Sequence, residues 1–199
     1  MLGLLRETAA AWAPNAVLAL DRLLPDHAHC EMKAASNALA LSARCFDEPR
    51  VMRALVEIAE EELAHFKQVL GLLDSRGIRL GVPEEDWYVA ELRRRSSSSR
   101  ARHDSVAIVV TDRLIVGALI EARSCERFKL LRDALEPKDA GLASFYGDLL
   151  ASEARHYRVF LELATRMSAA AYVDERHAAI ATIEATVVAE LRSEPTIHG

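Results

Sequence analysis

Two short stretches of the sequence, EELAH at residues 61–65 and SEARH at residues 152–156, each place a Glu three residues before a His. On a helix, residues three apart lie on the same face, so each pair can offer one oxygen and one nitrogen to a common ligand. A single Glu-x-x-His is common by chance. Two copies 91 residues apart, in similar surroundings, indicate a duplicated element that binds a metal ion.

The residues around each motif follow the spacing of an inward-facing helix seam. In steps of three and four, residues 51–72 and 142–167 each give a row of apolar side chains, interrupted only by the Glu and the His. Residues 110–135 give a third row with Glu121 at its centre, and Glu31 lies in a fourth, less regular row. The sequence therefore predicts four helices that each bring a carboxylate to a shared core.

Four carboxylates cannot share an apolar core without a cation. An unpaired carboxylate there would be costly or would stay protonated, whereas two divalent ions balance four negative charges and neutral imidazoles complete the coordination. One Glu from each of two helices and Glu-x-x-His from each of two others is the di-iron or di-manganese carboxylate pattern. The predicted metal ligands, with no further catalytic residue, are Glu31, Glu62, His65, Glu121, Glu153 and His156.

Other acidic and histidine side chains lie near these ligands in the sequence. Those off the seams are expected to be solvated or to support a ligand, namely Glu57, Glu60, Glu61 and Glu126. Whether His27 and His29, which precede Glu31 in the same turns of the helix, lie at the site, in the core or on the surface stays open. The hydrogen-bond partners of the two ligand histidines also stay open, because Glu61 precedes one motif Glu and Ser152 precedes the other. No role is predicted for the remaining candidates, His103, His177 and His198.

The elements that must position the ligands are helices. Gly (8) and Pro (6) are scarce, and no alternating run suggests a sheet. Proline is tolerated in the first turn of a helix, so Pro25, Pro49 and Pro137 are expected near helix starts. Helices are predicted near residues 14–23, 25–45, 49–75, 105–135, 138–167 and 173–192.

Short links make antiparallel hairpins of the second and third of these helices and of the fourth and fifth. The roughly thirty residues at 76–104 are long enough to return the chain to the other end of the bundle. The prediction is an all-α, ferritin-like four-helix bundle with one long crossover and an extra C-terminal helix. Residues 1–199 would form a single domain whose core helices span about 25–167.

Composition limits the classes of function. No apolar run is long enough to cross a bilayer, and the N-terminus lacks the pattern of a signal peptide. Three cysteines without CxxC spacing fit reduced thiols in a cytoplasm. A net charge of −5 argues against general polyanion binding, although a local basic patch is compatible with it. Mixed oxygen and nitrogen ligands favour iron or manganese over zinc.

Four stretches resemble a known family: PDHAHCEMKAASNALAL, EIAEEELAHFKQVL, GALIEARSCERFKLL and LLASEARHYRVFLELA. In this order, over roughly residues 20–190, they are similar to the bacterial tRNA 2-methylthio-isopentenyladenosine hydroxylases. The resemblance implies a cytoplasmic, non-haem di-iron monooxygenase with two iron ions and dioxygen as co-substrate. It would hydroxylate the isopentenyl side chain of the hypermodified adenosine in tRNA, with electrons from a reductase.

The resemblance also implies roles for the six ligands. Glu31 and Glu121 would be terminal ligands, Glu62 and Glu153 would bridge the two ions, and the two histidines would be the nitrogen ligands. Two alternatives share this ligand set. A ferritin-like protein that oxidises and stores iron should assemble into a cage, and a quinone hydroxylase would need an apolar surface facing a membrane.

The crossover carries the segment RRRSSSSRARH at residues 93–103, which is basic in an otherwise acidic protein. Guanidinium groups suit phosphate geometry, and the serines are expected to give a flexible loop that lets them adapt. The alternative is a solvated loop that only aids solubility. The predicted contacts with the tRNA backbone are Arg93, Arg94, Arg95, Arg100 and Arg102.

Overall fold

A computed structural model of the chain describes residues 2–99 and 105–198. Within these ranges the chain forms seven helices and no strand, so the all-α prediction is confirmed. The helices are α1 (Trp12–Leu18), α2 (Leu20–Ser42), α3 (Pro49–Arg76), α4 (Trp87–Ser98), α5 (Val106–Leu135), α6 (Ala140–Met167) and α7 (Ala170–Glu190).

The four long helices α2, α3, α5 and α6 form the predicted bundle. The helix α2 packs against α3, and α5 packs against α6, as two hairpins with short links. The crossover at 77–105 joins the hairpins and contains α4. The C-terminal helix α7 packs on α4 and α5, and α1 packs on α5. A ferritin-like bundle with one long crossover and an extra C-terminal helix is therefore confirmed.

Local sequence signals explain several helix ends. Pro49 is the first residue of α3, and Gly77 ends that helix in the left-handed conformation with φ of 64°. The side chains of Asp86, Ser105 and Asp139 each accept a hydrogen bond from the backbone N–H three residues later. These caps begin α4, α5 and α6.

The start of α2 differs from the prediction. The helix begins at Leu20, and Pro25 lies inside its second turn instead of at its start. Proline removes one backbone hydrogen bond there. The side chains of Leu23 and Leu24 are fully buried in the bundle, and this packing compensates for the missing bond.

The crossover also differs from the prediction, because its basic stretch is not a flexible loop over residues 93–98. These residues form the second half of α4. Tyr88, Leu92 and Ser96 recur every fourth residue and are all buried, so one face of the helix is anchored to the protein. Arg100, Arg102 and His103 lie outside the described residues.

Two apolar clusters fill the bundle and leave its middle to polar groups. One cluster contains Leu55, Leu114 and Phe160 together with α4 and α7. The other contains Trp12 and Phe128. On each long helix, the predicted ligands lie between the residues of the first cluster and those of the second.

A buried polar network attaches α7 and the N-terminal segment to α5. Arg123 donates hydrogen bonds to Glu184 at 2.8 and 2.9 Å and to the Thr8 hydroxyl at 3.1 Å. Tyr88 of α4 donates to the same carboxylate of Glu184 at 3.0 Å. Glu126 pairs with Arg123 and accepts from Thr8 at 2.7 Å, so its expected position in solvent or beside a ligand is wrong. The network holds α5 at a fixed place beside the bundle centre.

None of the helices in the described part of the chain combines the length and apolar character that a membrane span requires.

Candidate metal centre

The structure brings all six predicted ligands together at the bundle centre, and every one of them is buried. Their potential ligand atoms form two overlapping groups, each within 4.8 Å. One group consists of Glu31, Glu62, His65 and Glu153. The other consists of Glu62, Glu121, Glu153 and His156. Two of the carboxylates, Glu62 and Glu153, are common to both groups, which is the arrangement that two neighbouring cations require.

Several atoms of this centre are close together without hydrogen bonding. Nδ1 of His156 lies 2.9 Å from Oε1 of Glu62, yet neither atom has a hydrogen-bond partner among the described residues. Oε1 of Glu153 is buried and equally unpartnered. Such atoms are rare in folded proteins, because desolvating them is costly. The oxygen and nitrogen donors therefore fit divalent iron or manganese ions, which would satisfy these atoms.

When no cation is bound, the pKa values of the centre favour protons on two of its carboxylates and on its imidazoles. Burial, reinforced by the charges of Glu121 and Glu31, raises the pKa of Glu62 to about 7. Burial likewise raises the pKa of Glu153 well above its usual range. Burial alone would lower the pKa of His65, but hydrogen bonds to Glu31 and Glu62 outweigh it and raise this pKa to about 10. Metal binding at neutral pH must therefore displace protons from the site.

Glu61 supports a ligand histidine on the opposite hairpin. Its carboxylate accepts a hydrogen bond from Nε2 of His156 at 2.9 Å and also pairs with Arg155. In the neutral imidazole this contact keeps the proton on Nε2, so Nδ1 of His156, on the side of Glu62, would be free to act as a ligand atom. Ser152, at the equivalent place in the second motif, donates its hydroxyl to Glu61 at 3.5 Å. Glu61 is thus the partner of His156 that the sequence left open.

We expect Glu61→Ala to weaken metal retention, because the imidazole of His156 loses the acceptor that fixes its orientation. Loss of such a partner typically lowers metal affinity by about 10- to 100-fold. The rate of iron release to a ferrous chelator measures the effect. Glu60→Ala, at the exposed neighbouring position, is the matched control. Equal release from the two variants would assign Glu61 to the surface only.

His27 supports another ligand. It is buried, and its Nε2 donates to Oε1 of Glu31 at 2.6 Å. Its ring stacks on Tyr146 with centroids 5.5 Å apart and an interplanar angle of 20°. His29 is also buried, but it lines a separate cavity near residues 79–84. Of the two histidines that precede Glu31, only His27 belongs to the centre.

One cavity of about 380 Å³ leads from the centre to the surface. The four carboxylates of the centre belong to its lining and are all buried, so we call this part its inner end. Apolar lining residues include Ile58, Val116, Ile120 and Phe160, together with Gly117. The lining also has charged residues that are partly or fully exposed, which we call its outer part: Lys33, Asp86, Arg93 and Arg113. The volume is typical of a small-molecule site, and an apolar substituent can reach the metal ligands while a polar group stays outside.

His198, for which no role was predicted, forms part of this cavity wall. Its Nδ1 donates to Asp86 at 2.7 Å, and its Nε2 lies 3.3 Å from the hydroxyl of Ser124. No sequence signal pointed to this position, because no spacing rule connects residues 191–198 with the bundle.

The three described arginines of the basic segment have different surroundings. Arg94 pairs with Glu91, and Arg95 pairs with both Glu91 and Glu190. Arg93 instead lines the cavity. Contact of these side chains with RNA stays a prediction.

Comparisons with known proteins identify the family. A family model described as tRNA-(MS[2]IO[6]A)-hydroxylase (MiaE) matches residues 2–199. Two curated relatives are named tRNA 2-(methylsulfanyl)-N(6)-isopentenyladenosine(37) hydroxylase. The relative from Pseudomonas putida is 43% identical over 157 residues, which cover 79% of this chain and 72% of the relative. The relative from Salmonella typhimurium is 37% identical over 126 residues, which cover 62% of this chain and 43% of the relative.

A solved structure is also similar. It is described as Protein 43 with aldehyde deformylating oxygenase activity from Synechococcus, and it is 34% identical with a TM-score of 0.86. The match covers 98% of this chain and 95% of that one. The fold is thus shared with an oxygenase over nearly its full length. Since the family model spans almost every residue and agrees with both curated relatives, the chain belongs to the tRNA-(MS[2]IO[6]A)-hydroxylase (MiaE) family.

Proposed function

We propose that this protein is a dioxygen-dependent di-iron monooxygenase that hydroxylates the isopentenyl side chain of 2-methylthio-isopentenyladenosine in tRNA. The observation that carries the proposal is a buried centre of four carboxylates and two histidines, whose carboxylates line a cavity that also has apolar walls. Membership of the MiaE family supplies the substrate class. The proposal includes cytoplasmic action and a separate reductase that delivers electrons.

The six ligands would hold two iron ions, with Glu31 and His65 on one side and Glu121 and His156 on the other. Glu62 and Glu153 belong to both ligand groups and would bridge the ions. Iron bound there would supply the activation of dioxygen and the oxidation of an allylic C–H bond of the isopentenyl chain. The ligands come from both hairpins, so we infer that the bundle acts as one domain.

The chain's own residues would position the substrate. The apolar wall formed by Val116, Ile120 and Phe160 favours a branched hydrocarbon and excludes water from the inner end of the cavity. A prenyl group in this cavity would lie next to the four carboxylates, which belong to the cavity lining, while the two histidines of the centre do not. The ribose and its phosphates would stay in the outer, charged part.

Reconstitution tests the proposal directly. The protein is loaded anaerobically with ferrous iron and supplied with a chemical reductant, dioxygen and isopentenylated tRNA. Mass analysis of the released nucleosides should show the gain of one oxygen atom in the modified adenosine. Unchanged nucleosides with an iron content near two per chain would contradict the proposal.

The alternatives give different results in the same reaction. A storage protein would take up iron far beyond two ions per chain, and a quinone hydroxylase would oxidise a quinone instead of the nucleoside. The description of the similar solved structure names an aldehyde deformylating oxygenase activity. A long-chain aldehyde is therefore a further test substrate. Turnover of the aldehyde without hydroxylation of tRNA would favour that activity.

Gly117 offers a steric test of the cavity. A Cβ atom built at this position lies 3.4 Å from the ring of Phe160, so a larger side chain must occupy the space proposed for the prenyl group. We expect Gly117→Leu to reduce hydroxylation by about 100-fold, since a displacement of about 1 Å can have that effect, with iron content unchanged.

The matched control for this variant is Gly117→Ala, whose methyl group just contacts Phe160. It should retain most of the activity and stabilise α5, because alanine favours a helix over glycine by about 1 kcal/mol. Full activity in Gly117→Leu would show that the substrate does not use this cavity.

A further inference from the structure

Cationic side chains from three helices line the outer part of the cavity. Lys33 belongs to α2, Arg93 to α4 and Arg113 to α5. The same cavity reaches the metal ligands. A ligand that inserts an apolar group toward the centre would therefore leave its other end beside these cations.

Arg93 differs from its two neighbours on α4. Arg94 and Arg95 point to the carboxylates of Glu91 and Glu190. Arg93 is only partly exposed, and within residues 2–99 and 105–198 no hydrogen bond or ion pair engages its guanidinium. Burial, together with the charge of Arg113, lowers the pKa of Arg93. The charge of Asp86 acts in the opposite direction but does not outweigh them. Burial and Arg113 therefore disfavour the cation where it stands, and a bound anion would relieve both effects.

The acidic groups of the same wall already have partners. Asp86 accepts hydrogen bonds from His198 at 2.7 Å and from the backbone N–H of Val89 at 2.9 Å. Asp112 accepts two hydrogen bonds from Arg176, each at 2.8 Å. These carboxylates therefore hydrogen-bond to other groups, and Arg93 lines the cavity without hydrogen bonding to either of them.

We propose that Arg93, together with Arg113, binds a phosphate group of the nucleotide whose base substituent enters the cavity. The inference rests on the proposed function, because it takes the inserted group to be the prenyl chain of that nucleotide. A planar guanidinium can bind two phosphate oxygens at once, which fixes orientation as well as position. Arg113 was not singled out by the sequence. This role distinguishes Arg93 from Arg94 and Arg95, although the sequence predicted all three as contacts with the tRNA backbone.

The test compares a free nucleoside with its phosphorylated form. The substrates are 2-methylthio-N6-isopentenyladenosine and its 5′- and 3′-monophosphates, each offered to the iron-loaded protein. We expect wild type to prefer one monophosphate by about tenfold or more in kcat/KM, since charge-assisted hydrogen bonds are strong. In Arg93→Ala and Arg113→Ala this preference should fall to near one.

Arg94→Ala is the matched control on the same helix and should keep the preference of wild type. Arg93→Lys retains the charge but lacks the planar guanidinium that can bind two phosphate oxygens, so it should give an intermediate preference. Absence of any preference in wild type would overturn the proposal. An equal loss of nucleoside and nucleotide turnover in Arg93→Ala, with the ratio kept, would also overturn it, because it would assign the residue a purely structural role.

Failure of the proposed function is distinguishable from failure of this inference. If wild type hydroxylates none of the three compounds, the proposed function fails. Calorimetry of the nonreacting monophosphates with the iron-loaded protein then decides about Arg93. Tighter binding to wild type than to Arg93→Ala supports the phosphate site, and equal binding overturns it. Inorganic phosphate that binds as tightly as either nucleotide would identify a site for free phosphate and would overturn the nucleotide assignment.

Discussion

Changing both ligand histidines, His65→Ala and His156→Ala, is expected to leave a folded bundle that holds far less than two iron ions per chain and has no hydroxylase activity. Each imidazole offers its Nδ1 to one of the two ligand groups. Their loss leaves a carboxylate-only centre that binds ferrous iron less tightly and cannot orient it. Metal analysis after gel filtration and the nucleoside assay measure the two effects.

The matched control for the double variant is His177→Ala, which changes a histidine that contacts Tyr157 instead of the centre. It should bind iron and turn over like wild type. Circular dichroism should show the helix content of wild type in all of these proteins. Full iron occupancy in the double variant would refute the assignment of the two histidines as ligands.

The second large effect is expected in the metal-free protein, where Glu62→Gln should increase stability at neutral and alkaline pH. Burial raises the pKa of Glu62 to about 7, from a usual value of 4.5. A carboxyl group with a raised pKa destabilises the fold as the pH rises through this interval, because the unfolded chain ionises first. The neutral amide removes this penalty, which is about 1–3 kcal/mol at pH 8.

The sign of this effect should depend on pH and on iron. At about pH 4 the carboxyl group is largely protonated in both states, so wild type and variant should have similar free energies of unfolding. With iron bound the order should reverse, because the amide replaces a shared carboxylate ligand. Urea titrations at pH 4 and pH 8, with and without iron, measure all four cases. Glu60→Gln, at an exposed position of the same helix, is the control. If Glu62→Gln were less stable than wild type at pH 8 without metal, this account would be contradicted.

The bundle and the converging carboxylates could be predicted because both depend on local spacing. Glu62 and His65 interrupt an otherwise apolar seam, and such an interruption has few explanations besides a shared cation. The helix α4 was missed although signals were present. Asp86 could cap a helix, and Tyr88 and Leu92 have helical spacing, but the serines that follow suggested a loop.

Other features depend on contacts between distant residues, which no local period encodes. The contact of Glu61 with His156 joins positions 95 residues apart. The place of His198 in the cavity wall depends on how the last residues fold back onto α4 and α5. Pro25 inside α2 is a case in which burial of the neighbouring leucines outweighs local preference.

The different residues at positions 61 and 152 affect how strongly the two ligand histidines would donate electrons to a metal ion. The two hairpins repeat their ligands, but Glu61 accepts the Nε2 proton of His156, and a serine stands at the matching place of the other motif. A carboxylate that accepts this proton makes the imidazole a stronger electron donor. A metal ion bound next to His156 would therefore be the more electron-rich of the two and would favour the higher oxidation state. The duplication is symmetric in the identity of the predicted ligands, and it would be polarised in the redox character of the ions they hold.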